Sequence, residues 1–409
     1  MGTRAKSIVN APRIHQVNQT VVLRDLALHG ALSCTHFARR FNVPVGTIQR
    51  IVQRLAAMGL VVTRKGDPSG RVGKPPTLVD LHAAFGSFIG VELGSATTRS
   101  ILVDFKGNLL AAELNPTSAL LPDIGRTLPA YLAAFLTRHG GRDGHGPLAG
   151  VAIGVSGTVS PDDGGVSQGF LPVGTRLCPP IEDRLRVPAL VDNDANLAAL
   201  AESLFGAARE TDHAICVLDR GWVGAGLWLN GAIYLGRRNC AGELTAGAWT
   251  QSGPRKARGA TRFPFVGSFE LEHLLRNRRL RTKPYACRTD LVSALARRAD
   301  EGDPGARRVI EGVAMDFACA FVRLGGLFDP DGMILAGDFV ASGALGEKIF
   351  QREFARQWRM TSPPSSGGEK AALRVAFSRI DQNIVARGAA AMIVNEVTAR
   401  RVGNSVNGA

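Results

Sequence analysis

At 409 residues, with 45% hydrophobic and 21% charged side chains, the chain is too long for one ordinary core and too apolar for a disordered one. No uninterrupted apolar run approaches the ~20 residues that span a bilayer, and Met1 to Asn10 lack the apolar segment of a secretory signal. The expectation is a cytoplasmic protein of two or three domains with no membrane partner.

The net charge of +14 is unevenly spread. Residues 1–80 carry twelve Lys or Arg against Asp25, Asp67 and Asp80, a balance of +9. Arg255 to Lys283 carry nine against Glu270 and Glu272, a balance of +7, so the remainder is slightly acidic. A basic N-terminal part points to a polyanionic partner. The six cysteines stand singly, with no paired spacing, which argues against a disulfide framework.

In chain order, the first element is a short helix from Asn18 to about His29, closed by Gly30. A second helix starts at Ser33, which can cap it, and ends at Phe41 before the turn Asn42-Val43-Pro44. A third runs from Val45 to Met58, stopped by Gly59. Its Ile48, Ile51, Val52 and Leu55 recur at i, i+3, i+4 and i+7, one buried stripe. The other face presents Thr47, Gln49, Arg50, Gln53 and Arg54, all able to bond a base edge or phosphate and none acidic. A strand at Leu60–Thr63, a basic glycine-rich tip and a strand at Thr77–Leu81 then make a wing. Its Arg64, Lys65, Arg71 and Lys74 can reach phosphates. Helix, turn, helix and basic wing in this order predict a winged helix-turn-helix over residues 1–82, with double-stranded DNA as partner. A plain three-helix unit with a solvated charged face is the bland alternative.

Past Ala84 short apolar strands alternate with glycines and helical stretches, an α/β pattern. Phe88 to Thr97 and Arg99 to Asp104 read as a hairpin whose glycine turn suits a phosphate. A strand at Val151–Val155 leads to Ser156-Gly157. Another, Ala189–Val191, ends in Asp192-Asn193-Asp194-Ala195-Asn196 and a helix from Leu197 to Phe205.

These runs, with Gly221 to Gly231, Ala241-Gly242-Glu243-Leu244 and Phe328 to Gly337, resemble the ROK family (repressor, open reading frame, kinase), in its branch of regulators with an N-terminal winged helix. The resemblance covers nearly the whole chain. It implies an actin-like ATPase fold over residues 83–409: two α/β lobes, each on a mixed sheet, with a sugar-kinase-like cleft between. It also implies that Asp194 stands where kinases hold the general base and Asn193 where they hold the sugar. As plain alternatives, both residues suit the cap of the following helix.

Departures from the family pattern point away from catalysis. Where the first phosphate loop of the family reads Asp-x-Gly-Gly-Thr-Lys, this chain has Glu92-Leu93-Gly94-Ser95-Ala96-Thr97. The second loop, Gly-Thr-Gly, is Arg220-Gly221-Trp222, and a Gly-Gly pair near the nucleotide base is Ala336-Gly337. The zinc run is also missing: Ala246 replaces its histidine and Ser268 its last cysteine. The expectation is therefore no metal, no cofactor and no kinase reaction. On the sugar side Ser156, Gly157, Asn193, Asp194, Glu243 and Glu270 remain as candidate effector contacts. The whole reads as a sugar-controlled, dimeric regulator of carbohydrate-related genes. An active kinase with a DNA-binding appendage, or a ligand-independent repressor whose large domain only dimerises, are the alternatives.

Overall fold

The computed structural model describes residues 11–66, 77–121, 123–141, 145–220, 222–244, 287–361 and 373–407. The first unit contains α1 (Ala11–His29), β1 (Leu32–Ser33), α2 (Cys34–Phe41), α3 (Val45–Ala57), β2 (Val61–Lys65) and β3 (Thr77–Leu81). Helix α1 starts seven residues before the apolar pattern predicts. Pro12 stands in its first turn, where a missing N–H breaks no helical bond. The Ser33 hydroxyl accepts the His36 N–H at 3.1 Å and caps α2. Asn42 ends α2 in the left-handed conformation, at φ 51°. Ile48, Ile51, Val52 and Leu55 are buried, as their spacing predicts. β2 and β3 pair antiparallel, Val61 opposite Leu81 and Lys65 opposite Thr77. The short β1, which the sequence pattern does not reveal, adds to β3 and closes a three-stranded sheet. The wing tip, with Arg71 and Lys74, lies outside the described residues.

Two five-stranded sheets follow. The first is built from β4 (Ser87–Leu93), β5 (Thr97–Asp104), β6 (Leu109–Pro116), β7 (Leu148–Val155) and β10 (Ala189–Asn193), in the order β10-β7-β4-β5-β6. The second holds β11 (His213–Arg220), β12 (Trp222–Leu229), β13 (Ala232–Ile233), β14 (Gly332–Gly337) and β15 (Arg374–Phe377), in the order β13-β12-β11-β14-β15. Read from the same end the orders match: an antiparallel meander of three strands, then two strands added in parallel beside the first. The large domain thus repeats one topology twice, giving two lobes. A separate ribbon of β8 (Gly157–Val159) and β9 (Val166–Gly169) extends the first.

Each lobe has its own outer helices. α4 (Ile124–His139) and α5 (Cys178–Leu185) belong to the first, and α7 (Arg288–Asp300), α8 (Pro304–Phe328) and α9 (Gly343–Thr361) to the second. The inner helices are exchanged. α6 (Asp194–Phe205) follows the last strand of the first sheet but packs on β11 and β12 of the second. α10 (Ile384–Asn407) follows the last strand of the second sheet but packs on β4 and β7 of the first. The two helices also pack on each other between the sheets.

Glycines at the contact points make this crossing possible. A Cβ on Gly90 would fall 2.0 Å from the Ala386 carbonyl oxygen, on Gly226 2.2 Å from that of Ala195, and on Gly388 1.9 Å from that of Leu197. Backbone therefore meets backbone with no room for a side chain. Helix α1 lies against α10, and Val22, Leu23 and Leu26 join the same buried cluster as Ala386, Ala389 and Ile393.

Gly388→Ala is expected to destabilise the protein by about 1–3 kcal/mol through overpacking. Gly326→Ala, in α8 with nothing within 4 Å of the added methyl, is expected to be neutral or to stabilise by about 0.5–1 kcal/mol. Chemical denaturation midpoints check the contrast; equal effects would refute the close-approach reading of Gly388.

Candidate functional site

The face of α3 away from the core carries Gln49, Arg50, Gln53 and Arg54, all exposed, with Thr47 half-buried. Arg64 and Lys65 on β2 are exposed as well. Arg39 and Arg40 add positive charge at the end of α2, although Arg40 Nε sits 3.0 Å from the buried carboxylate of Asp25. The five α3 residues thus share one solvent-facing strip with no acidic side chain on the helix.

In the cleft, β10 runs on to Asn193 and α6 begins at Asp194, three residues earlier than the sequence pattern predicts. The reason is the cap. Asn193 Oδ1 accepts the N–H groups of Ala195 at 2.8 Å and Asn196 at 3.2 Å. Its Nδ2 donates to the Gly157 carbonyl at 3.0 Å. The Asn193 amide is thus engaged by the protein itself, tying α6 to the strand that starts at Gly157. Gly157, at φ +149°, has the Gln168 carbonyl oxygen 2.1 Å from any Cβ it might carry, so only glycine fits.

Asp194 is different. Its carboxylate accepts from the Ala195 N–H at 2.9 Å and from the Ser156 hydroxyl. It is 8% exposed. Burial, reinforced by the charges of Glu92 and Glu243, pushes it up to about 7 despite those two hydrogen bonds. Glu243 enters from the other lobe: its backbone bridges to Gly224 on β12, and burial raises its carboxyl too. Ser156, Gly157, Asn193, Asp194 and Glu243 therefore converge, as the sequence reading expects. Glu270, the remaining candidate, lies outside the described residues, as do Ala246 and Ser268.

The opposite side of the cleft is filled by charges the sequence reading passed over. Arg220 ends β11 with its guanidinium aimed at the first lobe. Nε is 3.0 Å from Glu92 Oε1, Nη1 3.0 Å from Asp338 Oδ1, and Nη2 donates to the Gln382 carbonyl at 2.8 Å. Arg99 approaches Glu92 at 3.7 Å and donates to the Gln382 side chain at 3.2 Å. Arg288 and the Thr289 hydroxyl reach Asp338 at 3.5 and 2.9 Å. Burial pulls the Arg220 guanidinium down, but Glu92, Asp338 and Asp219 more than offset it, so the group stays charged. Burial, and then the Asp338 charge, raise Asp219 to about 7.

The positions that resemble phosphate loops thus hold an ion network joining both lobes. Trp222, in place of the last glycine of the family's second loop, is 41% exposed at the start of β12. Arg220, beside it in the closed end of the hairpin, is the side chain that enters. The available signal was an Asp219-Arg220 pair closing an otherwise apolar strand.

A raised carboxyl in the folded state favours folding below its unfolded value near 4 and loses that contribution as pH rises through 7. Asp194→Asn keeps the hydrogen-bonding shape without the charge. The variant is expected to gain on the parent between pH 5 and pH 8, by about 2–3 kcal/mol. Melting temperatures at the two pH values test this; a gap independent of pH would show that Asp194 is not buried against its neighbours.

The comparisons with known proteins fit this geometry. Residues 88–396 match the model of the ROK family. The chain is 25% identical over 352 residues to the DNA-binding transcriptional dual regulator NagC of Escherichia coli, covering 81% of this chain and 82% of that one. It is 24% identical over 236 residues to the xylose repressor of Bacillus subtilis, where the match spans 56% of this chain and 60% of the repressor. Among solved structures, a ROK family transcriptional regulator described as a homologue of the E. coli MLC protein superposes with a TM-score of 0.74, at 20% identity. That match covers 97% of this chain and 100% of that one. A ROK family glucokinase from Streptomyces griseus, in complex with glucose and AMPPNP, superposes with a TM-score of 0.61 at 22% identity, over 75% of this chain and 99% of that one. The first likeness extends over the winged unit as well as both lobes, and with the family model matched over residues 88–396, most of the chain, the protein belongs to the ROK family.

Proposed function

We propose that this protein is a sequence-specific DNA-binding transcriptional regulator whose two-lobed domain senses a sugar and does not phosphorylate it. The observation that carries the second half is the Glu92–Arg220–Asp338 bridge, at 3.0 Å on each side, across the positions where a kinase would seat its phosphates. Arg99, Arg220 and Arg288 lie there within 3.0–3.7 Å of Glu92 or Asp338, so opposite charges already occupy the space. A nucleotide would have to displace buried ion pairs, and breaking one by removing a partner typically costs about 3–5 kcal/mol.

The DNA half is supported by the acid-free strip Thr47, Gln49, Arg50, Gln53 and Arg54 on α3, by the likeness to the DNA-binding regulator NagC over 81% of the chain, and by a fold shared with a solved regulator over 97% of it. In this reading residues 1–82 form the reading unit, with Arg71 and Lys74 of the wing on phosphates. Residues 83–409 form the effector and dimerisation domain, and a homodimer presents two reading helices to two half-sites. The xylose and N-acetylglucosamine repressors among the relatives make a monosaccharide or its derivative the natural effector class. Asp194, Ser156 and Glu243 supply its polar contacts, with Glu270 and the backbone at Gly157 beside them. Asn193 shapes the site through the cap rather than by offering a free amide.

Selection of genomic fragments by the full-length protein at about 0.15 M salt is expected to recover a few sites with two half-sites near carbohydrate genes. Arg50→Ala is expected to weaken specific binding by about 1–3 kcal/mol and to relax one base position. Equal loss on all sequences would make Arg50 a phosphate contact, and no preferred sequence at all would overturn the proposal.

For the effector, a thermal-shift panel of sugars, amino sugars and their phosphates is expected to give at least one stabilising compound, with the shift lost in Asp194→Ala. The same compound with ATP and Mg²⁺ is expected to give no nucleotide turnover. Turnover dependent on the sugar would instead establish a kinase with a DNA-binding appendage.

A further inference from the structure

Where the winged unit meets the lobes, the protein holds a cleft of about 560 Å³, distinct from the sugar-side residues and from the ion network. Its walls come from α1 (Leu23, Arg24), α6 (Leu204, Phe205), β12 (Trp228) and α10 (Thr398). The volume suits a small organic ligand. Leu23 and Trp228 are buried, so the floor is apolar, and three observations describe what would fill it.

First, the charges of the lining are balanced except at one place. Lys106 Nζ lies 2.7 Å from Asp80, Arg387 3.1 Å from Asp381, and Glu396 2.6 Å from Arg400. Arg24 has no carboxylate partner among the described residues. Its guanidinium lies over the Trp228 ring, 5.5 Å from the centroid, held by the ring face with its edge N–H groups unclaimed. Second, the face of α10 toward the cleft is mainly alkyl, with Ala390, Ala391, Val394 and Ala399, which suits an apolar body. Third, α1 is pinned around the cleft: Arg209 donates to the Leu28 carbonyl, and His29 Nε2 is 3.4 Å from Glu210. These contacts frame the opening and do not fill it.

We propose that this cleft is a second ligand site, for a small amphipathic monoanion with an aromatic or branched apolar body. The apolar body packs on Leu23, Leu204, Phe205 and Trp228. The acidic head pairs with Arg24. Such a ligand is unlike a sugar, which lacks both the charge and the continuous apolar surface. An occupant touches α1 of the winged unit together with both crossing helices of the lobes, so it is a wedge between the two units.

The test titrates full-length protein with 1-anilinonaphthalene-8-sulfonate, an aryl monoanion, and with the neutral N-phenyl-1-naphthylamine, reading probe emission sensitised by tryptophan. Saturable binding of the anionic probe at one per protomer is expected. Arg24→Gln, at an exposed position, should weaken the anionic probe at least tenfold and the neutral one less than twofold. Ala27→Trp, at the mouth, should weaken both; near-UV circular dichroism verifies that each variant is folded. Absence of saturable binding, or affinities unchanged in folded Arg24→Gln, would overturn the proposal. Equal weakening of both probes by Arg24→Gln would overturn the assignment of an anionic ligand.

Discussion

A guanidinium buried between two lobes has to be paired on both sides, and much of the cleft is arranged around that need. Arg220 stands at the end of β11 in the second lobe, yet one of its two carboxylate partners, Glu92, is on β4 of the first. Taking such a charge from water is costly unless carboxylates and carbonyls replace the lost hydration. Asp338 and the Gln382 carbonyl complete that set. Glu92, one methylene longer than the aspartate of the related kinases, has the reach that an interlobe pair requires. The departures in the phosphate loops therefore form one coordinated change: the loops hold each other through side chains where they would otherwise hold a phosphate chain between them.

The consequence for the sugar side is electrostatic. Glu92 faces Arg220 with one oxygen and still contributes negative potential at Asp194, which helps raise that carboxyl toward 7. Asp194 is thus poised between a hydrogen-bond donor and an acceptor near neutral pH, a versatile state for meeting a hydroxyl group. In the function proposed above, that versatility serves recognition of a hydroxylated ligand.

The sequence made some of this legible and hid the rest for identifiable reasons. The Ile48–Leu55 stripe, the Ser33 cap and the wing strands follow from short-range periodicity and turn chemistry, and the structure has them. The first two turns of α1 carry no apolar period, so their helical state depends on length and context. The start of α6 at Asp194 depends on Asn193 folding back to cap it, which competes in sequence with its reading as a ligand contact. Convergence of Ser156, Asn193, Asp194 and Glu243 was legible through the family resemblance and not through spacing. The partnership of Arg220 with Glu92 and Asp338 was not, because each partner is remote in the chain. Nor was the duplicated topology, since the two sheets share strand order without sharing a sequence pattern.

The exchange of α6 and α10 between the lobes also bears on how the chain is made. The strands of the first lobe leave the ribosome early, but the helix that covers β4 and β7 follows every strand of the second lobe. Until α10 emerges, the inner face of that sheet, with Gly90 and Gly150 shaped to receive a helix backbone and Ile393, stays uncovered. The outer face has its own buried cluster, with Leu128, Leu132 and Ile181 on Val91 and Ile153, but the inner face does not, and a truncation that removes α10 takes away the seat of α1 as well. The contacts of α10 with β4, β7 and α1 are remote in the chain, which favours slower folding and makes α10 a condition for seating the N-terminal unit.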